Sequence, residues 1–127
     1  MHFVRRLAYG LYDWCTGGPR KRARQLLLEH LSSGQLAQFR RHGFFDVIGG
    51  STQTQYRVHQ RVAVNVEAMH NGRVVRCLCF GPVGALPSGD VLLAQKLALE
   101  LSEAEVLQIA NIHHPILVER RNRILWH

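Results

Sequence analysis

The stretch Val62-Ala63-Val64-Asn65-Val66-Glu67-Ala68-Met69-His70-Asn71-Gly72-Arg73-Val74-Val75-Arg76-Cys77-Leu78-Cys79-Phe80 decides the fold. Apolar and polar residues alternate along its first part, which is the period of a half-buried strand. Asn71-Gly72 is the strongest hairpin signal in the chain. A type I′ turn needs positive φ at both central residues, and Asn followed by Gly tolerates it best. The spacing predicts antiparallel strands over 62–69 and 73–80. Upstream, Phe44-Phe45-Asp46-Val47-Ile48 and Tyr56-Arg57-Val58-His59 read as two more short strands, with Gly49-Gly50-Ser51-Thr52 as a loop. The expectation is an antiparallel sheet of three or four strands.

Helical periodicity flanks the strands on both sides. Residues 20–31 place Leu27, Leu28 and Leu31 on one face, and 32–42 place Leu36 and Phe39 on one face. Ser32 and Gln35 have the spacing of a capping box, and Gly43 suits the left-handed C-terminal position. After the loop Gly81-Pro82-Val83-Gly84-Ala85-Leu86-Pro87, Ser88 is an N-cap candidate and Asp90 suits the positive helix end. Residues 91–101 are apolar on almost every face, so this helix is expected at the buried centre. Ser102 and Glu105 form a second capping box that opens a helix to Asn111, and Pro115 blocks its continuation. The tail 116–127 is either an added strand at Ile116-Leu117-Val118 or an arm. At the other end, Phe3, Val4, Leu7, Leu11, Trp14 and Cys15 share a helical face, ended by Thr16-Gly17-Gly18-Pro19. The fold class is α+β: a small antiparallel sheet packed on a buried helix, with flanking N-terminal helices. The expected organisation is a single domain. It comprises an amphipathic helix (1–18), a basic helical hairpin (20–42), a sheet with helices (44–111) and a tail (112–127).

Composition narrows the class. The chain has 127 residues, 46% of them hydrophobic, enough for a packed core without disulfide staples. Its three cysteines fit reduced thiols better than a disulfide framework. No apolar run approaches the ~20 residues that span a bilayer. Arg5-Arg6 followed by Leu7-Ala8-Tyr9-Gly10-Leu11 resembles the start of a signal peptide. Asp13 interrupts it, and the apolar run is shorter than an h-region, so a cytoplasmic protein is expected.

The net charge of +7 is unevenly spread. Residues 1–60 hold nine Lys and Arg against three acids, while 61–127 hold seven against six. Arg20, Lys21, Arg22 and Arg24 fall at a helix start, where the macrodipole disfavours cations, which points to an external anion as partner. Arg40 and Arg41 close the next helix, where cations are favourable. These six residues are the candidate nucleic-acid contacts, with an acidic protein surface as the other ligand for the same charges. Arg120-Arg121-Asn122-Arg123 adds a basic run on the tail. A solvated basic face that maintains solubility is the plain structural alternative. Phe3, Leu7, Leu11 and Trp14 form the candidate partner-binding face, for another protein or a second copy of the chain.

The sequence contains no dinucleotide-binding or P-loop glycine motif, no His-Glu-x-x-His and no Gly-x-Ser-x-Gly. A non-catalytic protein is therefore expected. Cys77-Leu78-Cys79 places two thiols on one face of a strand. Buried core thiols are the plain reading. The order hairpin, Cys-x-Cys, Leu86-Pro87-Ser88-Gly89-Asp90 and apolar helix resembles the SWIM zinc-finger family over residues 57–101. That resemblance implies a ββα unit of the kind associated with DNA or protein binding. Its second ligand pair reads Ser88 and Asp90 here, so the zinc site is incomplete. Cys77, Cys79 and Asp90 are the outside metal candidates; no cofactor is expected, with zinc as the alternative. The chain also resembles small bacterial and phage-type proteins with no assigned activity. The resemblance runs through Gly43-Phe44-Phe45-Asp46-Val47, Tyr56-Arg57-Val58, Arg76-Cys77-Leu78-Cys79 and Leu86-Pro87-Ser88-Gly89-Asp90-Val91-Leu92-Leu93-Ala94-Gln95-Lys96-Leu97.

Overall fold

A computed structural model describes residues 18–61, 63–82, 84 and 86–113. The expectations at Phe3, Leu7, Leu11 and Trp14 and on the tail from 116 onward lie outside the described residues. Helix α1 is Gly18–His30 and α2 is Ser33–His42. Strands follow as β1 (Phe44–Ile48), β2 (Gln55–His59), β3 (Val66–His70) and β4 (Arg73–Cys79). Helix α3 is Ser88–Ile109, and β5 is Asn111–His113. The five strands pair antiparallel in the order β1-β2-β3-β4-β5. The fold is α+β.

Among the described residues the sheet has five strands, where the sequence implied three or four. After Ala110 turns the chain out of the helix, Asn111–His113 pairs with β4. Three residues, two of them exposed, carry too little alternation to announce a strand. The hairpin turn is as read: Asn71 and Gly72 have φ of 51° and 76°. The strand before it is shorter, beginning at Val66 instead of 62. Ala63 and Val64 lie in the left-handed region, at φ 52° and 46°, which breaks the extended backbone. Val64 is nonetheless buried, packed with Cys77, so its apolar period reflects a turn tucked under the sheet.

One face of the sheet carries the core. Phe45 and Val47 stand opposite Val58 and Tyr56, and Val66 stands opposite both Val58 and Leu78. Leu92, Leu93, Leu99 and Val106 of α3 pack on these residues, and Leu27 of α1 joins them. Helix α3 is not buried all round, however. Leu97 and Leu101 are 38% and 79% exposed, while Gln95, Lys96 and Glu103 are buried. The helix lies on the sheet by one stripe, so its reverse keeps apolar side chains in water. The break read at Ser102 is present: Ser102 leaves helical geometry at φ −143°, ψ 38° within the continuous element. Ser88 does not cap α3. Pro87 occupies the cap position, which makes no side-chain cap hydrogen bond.

Helix α2 begins with the expected capping box, Ser32 Oγ accepting from Gln35 N–H and Gln35 Oε1 accepting from Ser32 N–H. Gly43 ends it at φ 75°. The helix lies along the free edge of β1. Gln38 Oε1 accepts from Asp46 N–H at 2.7 Å, and Gln35 Nε2 donates to Asp46 O at 2.9 Å. Two glutamines thus occupy backbone groups that an edge strand would offer to another chain. Helices α1 and α2 meet at Leu31 and Ser32, but each packs chiefly elsewhere: α1 on α3, and α2 on β1. No helix among the described residues is long and apolar enough to cross a membrane.

Candidate functional site

The basic residues of α1 are placed by a helix crossing. A Cβ on Gly89 would stand 2.6 Å from the carbonyl carbon and oxygen of Ala23 and 2.8 Å from Arg24 N. Only glycine lets α3 approach α1 backbone to backbone. The approach sets the first turn of α3 beside Arg20 and Arg24, one helical turn apart on α1. A cleft of about 130 Å³ results, lined by Arg20, Arg24, Leu27, Phe39, Gln60, Ser88, Gly89 and Leu92. Ser88 and Gly89 of the first turn of α3, its positive end, line this cleft, and Asp90 in the same turn offsets part of that charge.

The six basic residues predicted from sequence are all exposed, but they are not one cluster. Arg20 and Arg24 share the cleft. Lys21 lies about 100° further around α1, and Arg22 about 200° from Arg20, on another side of the helix. Arg40 and Arg41 sit in the last turn of α2. Phe39 joins the two groups. The Arg24 guanidinium lies 5.5 Å over its ring centroid, and Arg40 follows it in sequence. Phe39 itself packs edge-on against Phe45 in the core, which fixes the ring beneath Arg24.

A second, larger cavity of about 440 Å³ adjoins the cleft. Gln60, Ser88 and Leu92 line both. Its remaining walls are Arg61, Ala63, Asn65, Cys79, Phe80, Leu86, Val91 and Gln95. Two buried amides form a reciprocal pair on its wall: Asn65 Nδ2 donates to Gln95 Oε1 at 2.7 Å, and Gln95 Nε2 donates to Asn65 Oδ1 at 2.9 Å. Their other N–H groups reach His59 O and Phe80 O, so both amides use all their donors within the protein. Arg61 Nη2 donates to Val64 O at 3.1 Å, while its buried Nε meets no acceptor among the described residues.

The sheet face opposite the core carries a charged row in direct register: Asp46, Arg57, Glu67, Cys77 and His113. Arg57 Nε donates to Asp46 Oδ1 at 2.9 Å, and His59 pairs with Glu67. Phe44, half-buried on the same face, has the Arg57 guanidinium 4.2 Å from its centroid, His42 stacked at 5.2 Å and His59 edge-on. Burial raises the Asp46 and Glu67 carboxyls, but the bonds from Arg57 and His59 outweigh it and hold both below the usual range. This row is internally neutralised and leaves little charge for a ligand.

Cys77 is buried in this row, where burial first and Glu67 second push its thiol up, against thiolate chemistry. Cys79 is half-buried and lines the larger cavity, as does Ser88. Asp90 lies in the first turn of α3. Among the described residues, no group of three or more His, Cys, Asp or Glu side chains is placed to hold a metal ion. Cavity residues Gln60, Arg61, Asn65, Phe80 and Gln95 were not candidates on sequence grounds. The signal at Gln95 was an amide inside an apolar helical run, where an unpaired polar group is costly. No protein family, curated protein or solved structure matches the chain.

Proposed function

We propose that the protein binds nucleic acid without catalysis, through the basic side of α1 and the last turn of α2. The observation that carries this reading is the pairing of Arg20 and Arg24 along one cleft, beside the first turn of α3. Two arginines on adjacent turns and a helix start supply directed donors as well as charge, which suits a phosphate better than a diffuse counterion cloud. Lys21, Arg22, Arg40 and Arg41 extend the positive field beyond one phosphate. Burial leaves the core-facing residues no part in this contact.

A salt titration tests the reading. Affinity for a generic oligonucleotide should fall steeply between low and moderate salt, because each neutralised phosphate releases condensed counterions. Replacing Arg20 and Arg24 together by alanine should weaken binding and flatten the slope. Undetectable binding by the intact protein at low salt overturns the proposal.

The exposed Leu97 and Leu101, four residues apart on α3, favour a second reading as an assembly module. In that case light scattering should show a species larger than the monomer, reduced by Leu101→Glu, with nucleic-acid affinity unchanged.

A further inference from the structure

We propose that the larger cavity takes one unpaired nucleobase of a single strand whose phosphate lies between Arg20 and Arg24. The inference rests on the nucleic-acid reading above and specifies the form of ligand. At about 440 Å³ the cavity falls within the range of small-molecule sites, well above the gaps left by ordinary packing. Phe80, Leu86, Val91 and Leu92 give the cavity apolar lining on which a flat ring can stack. Gln60 and Ser88 stand where cavity and cleft meet, within the lining of both. A nucleotide has the same two-part chemistry, a flat ring joined to an anion.

The cavity wall is pre-formed. The Asn65–Gln95 amide pair is tied to His59 O and Phe80 O, so the wall is braced from the sheet on one side and from α3 on the other. A hydrocarbon tail would fill the apolar part but would leave Arg61, Gln60 and Ser88 facing methylene groups. A base offers acceptors and donors along its edge. Its carbonyl oxygens and ring nitrogens suit a guanidinium, and that of Arg61 lines the cavity while its Nη2 donates to Val64 O at 3.1 Å. Bases stacked inside a duplex cannot enter a pocket without being extruded, so the site discriminates in favour of single strands. The basic residues beyond the cleft favour a strand over a free mononucleotide, since they have no second phosphate to meet in the smaller ligand.

The test compares a labelled oligothymidylate with a blunt duplex of equal phosphate count, by fluorescence anisotropy at fixed salt. The intact protein should prefer the single strand by about tenfold, the scale of one base–aromatic contact. Val91→Trp fills the cavity from α3 and should abolish that preference while duplex affinity stays. Leu86→Trp fills it from the loop and gives the same result should the helix variant misfold. Alkylation of Cys79 in the folded protein, followed by peptide mass, should be slowed by the oligothymidylate and not by the duplex or by thymidine monophosphate at equal concentration. Equal affinity for the two polymers, or a preference untouched by both tryptophans, overturns the pocket while leaving the basic face standing. Protection of Cys79 by the monophosphate alone assigns the cavity to free nucleotides and overturns the strand proposal. Binding of neither polymer at low salt overturns both readings.

Discussion

The phenol O–H of Tyr56 donates to Oε2 of Glu103 at 2.6 Å, with both side chains fully enclosed. Ser51 N–H, Thr52 N–H and Thr52 Oγ donate to the same carboxylate. A buried charge is tolerated here because every donor around it points inward. The arrangement ties the β1–β2 loop to α3 one residue past the helical break at Ser102.

Acid should therefore loosen this tie. Burial pushes the Glu103 carboxyl up, but the bonds from Thr52, Tyr56 and Ser51 outweigh it and hold it down, from 4.5 to about 2. A carboxyl whose folded value is depressed contributes stability that is complete above the unfolded value and is lost as pH falls toward the folded one. The loss should run from about pH 5 to about pH 2 and amount to roughly 3 kcal/mol. Denaturant midpoints across that window measure it. Glu103→Gln should lower stability at pH 7 by several kcal/mol and flatten the acid limb. An acid limb of unchanged steepness in that variant would assign the loss to Asp46 and Glu67. At the other extreme, burial and the Glu103 charge raise the Tyr56 phenol to about 12. Stability should then fall above about pH 10, where the unfolded phenol ionises first, and Tyr56→Phe should remove that fall.

Two glycines in helices should respond to alanine with opposite signs. At Gly34, in the first turn of α2, a Cβ meets nothing within 4 Å among the described residues. Gly34→Ala removes only unfolded-state freedom and should stabilise by about 0.5–1 kcal/mol. At Gly89 the new Cβ meets the Ala23 carbonyl at 2.6 Å, and backbone cannot rotate aside. Gly89→Ala should push α1 off α3 and cost about 1–3 kcal/mol. Thermal melts of the two variants side by side separate packing from propensity, and two shifts of the same sign would contradict this account of the crossing.

Local rules carried most of the fold into the sequence. The Asn71-Gly72 turn, the Ser32–Gln35 capping box and Gly43 depend only on near neighbours, and all three are present. Alternation misled at Val64 because a left-handed turn can bury a residue as well as a strand can. At Leu97 and Leu101, apolar composition marked burial on faces that the sheet does not reach. Strand β5 needed the β4 edge to be known first. Charge pointed to Arg20 and Arg24, but the cleft between them depends on the α1–α3 crossing. Which arginines meet Ser88, far along the chain, is tertiary information. Asn65 and Gln95, thirty residues apart, become partners only when β3 and α3 are stacked.

Removing the α2 glutamines should expose β1. Gln38 both accepts from Asp46 N–H and donates to Asp46 Oδ2, at 2.7 and 2.8 Å. Gln38→Ala leaves an edge N–H open and should cost about 1–2 kcal/mol. Together with Gln35→Ala it frees the Asp46 carbonyl as well. The double variant should self-associate on mild heating, as an uncovered strand edge recruits another. Light scattering through the melt reads this directly. A monomeric double variant with unchanged stability would show that solvent satisfies the edge as well as α2 does.

The basic residues should differ in their salt signatures according to where the helix turns them. Each phosphate left without its cation reduces the slope of log affinity against log salt by about 0.9 for duplex and about 0.7 for single strand. Arg20→Ala and Arg24→Ala should each produce that reduction, because both line the cleft. Arg22→Ala should produce less, since its position lies about 200° around α1 from Arg20. Arg24→Lys is the sharper probe. It keeps the charge but loses the planar group lying over Phe39, so the slope should hold while affinity drops. Equal effects at Arg20, Arg22 and Arg24, with lysine restoring full affinity, would mean that a diffuse field binds the polymer and that the cleft does not.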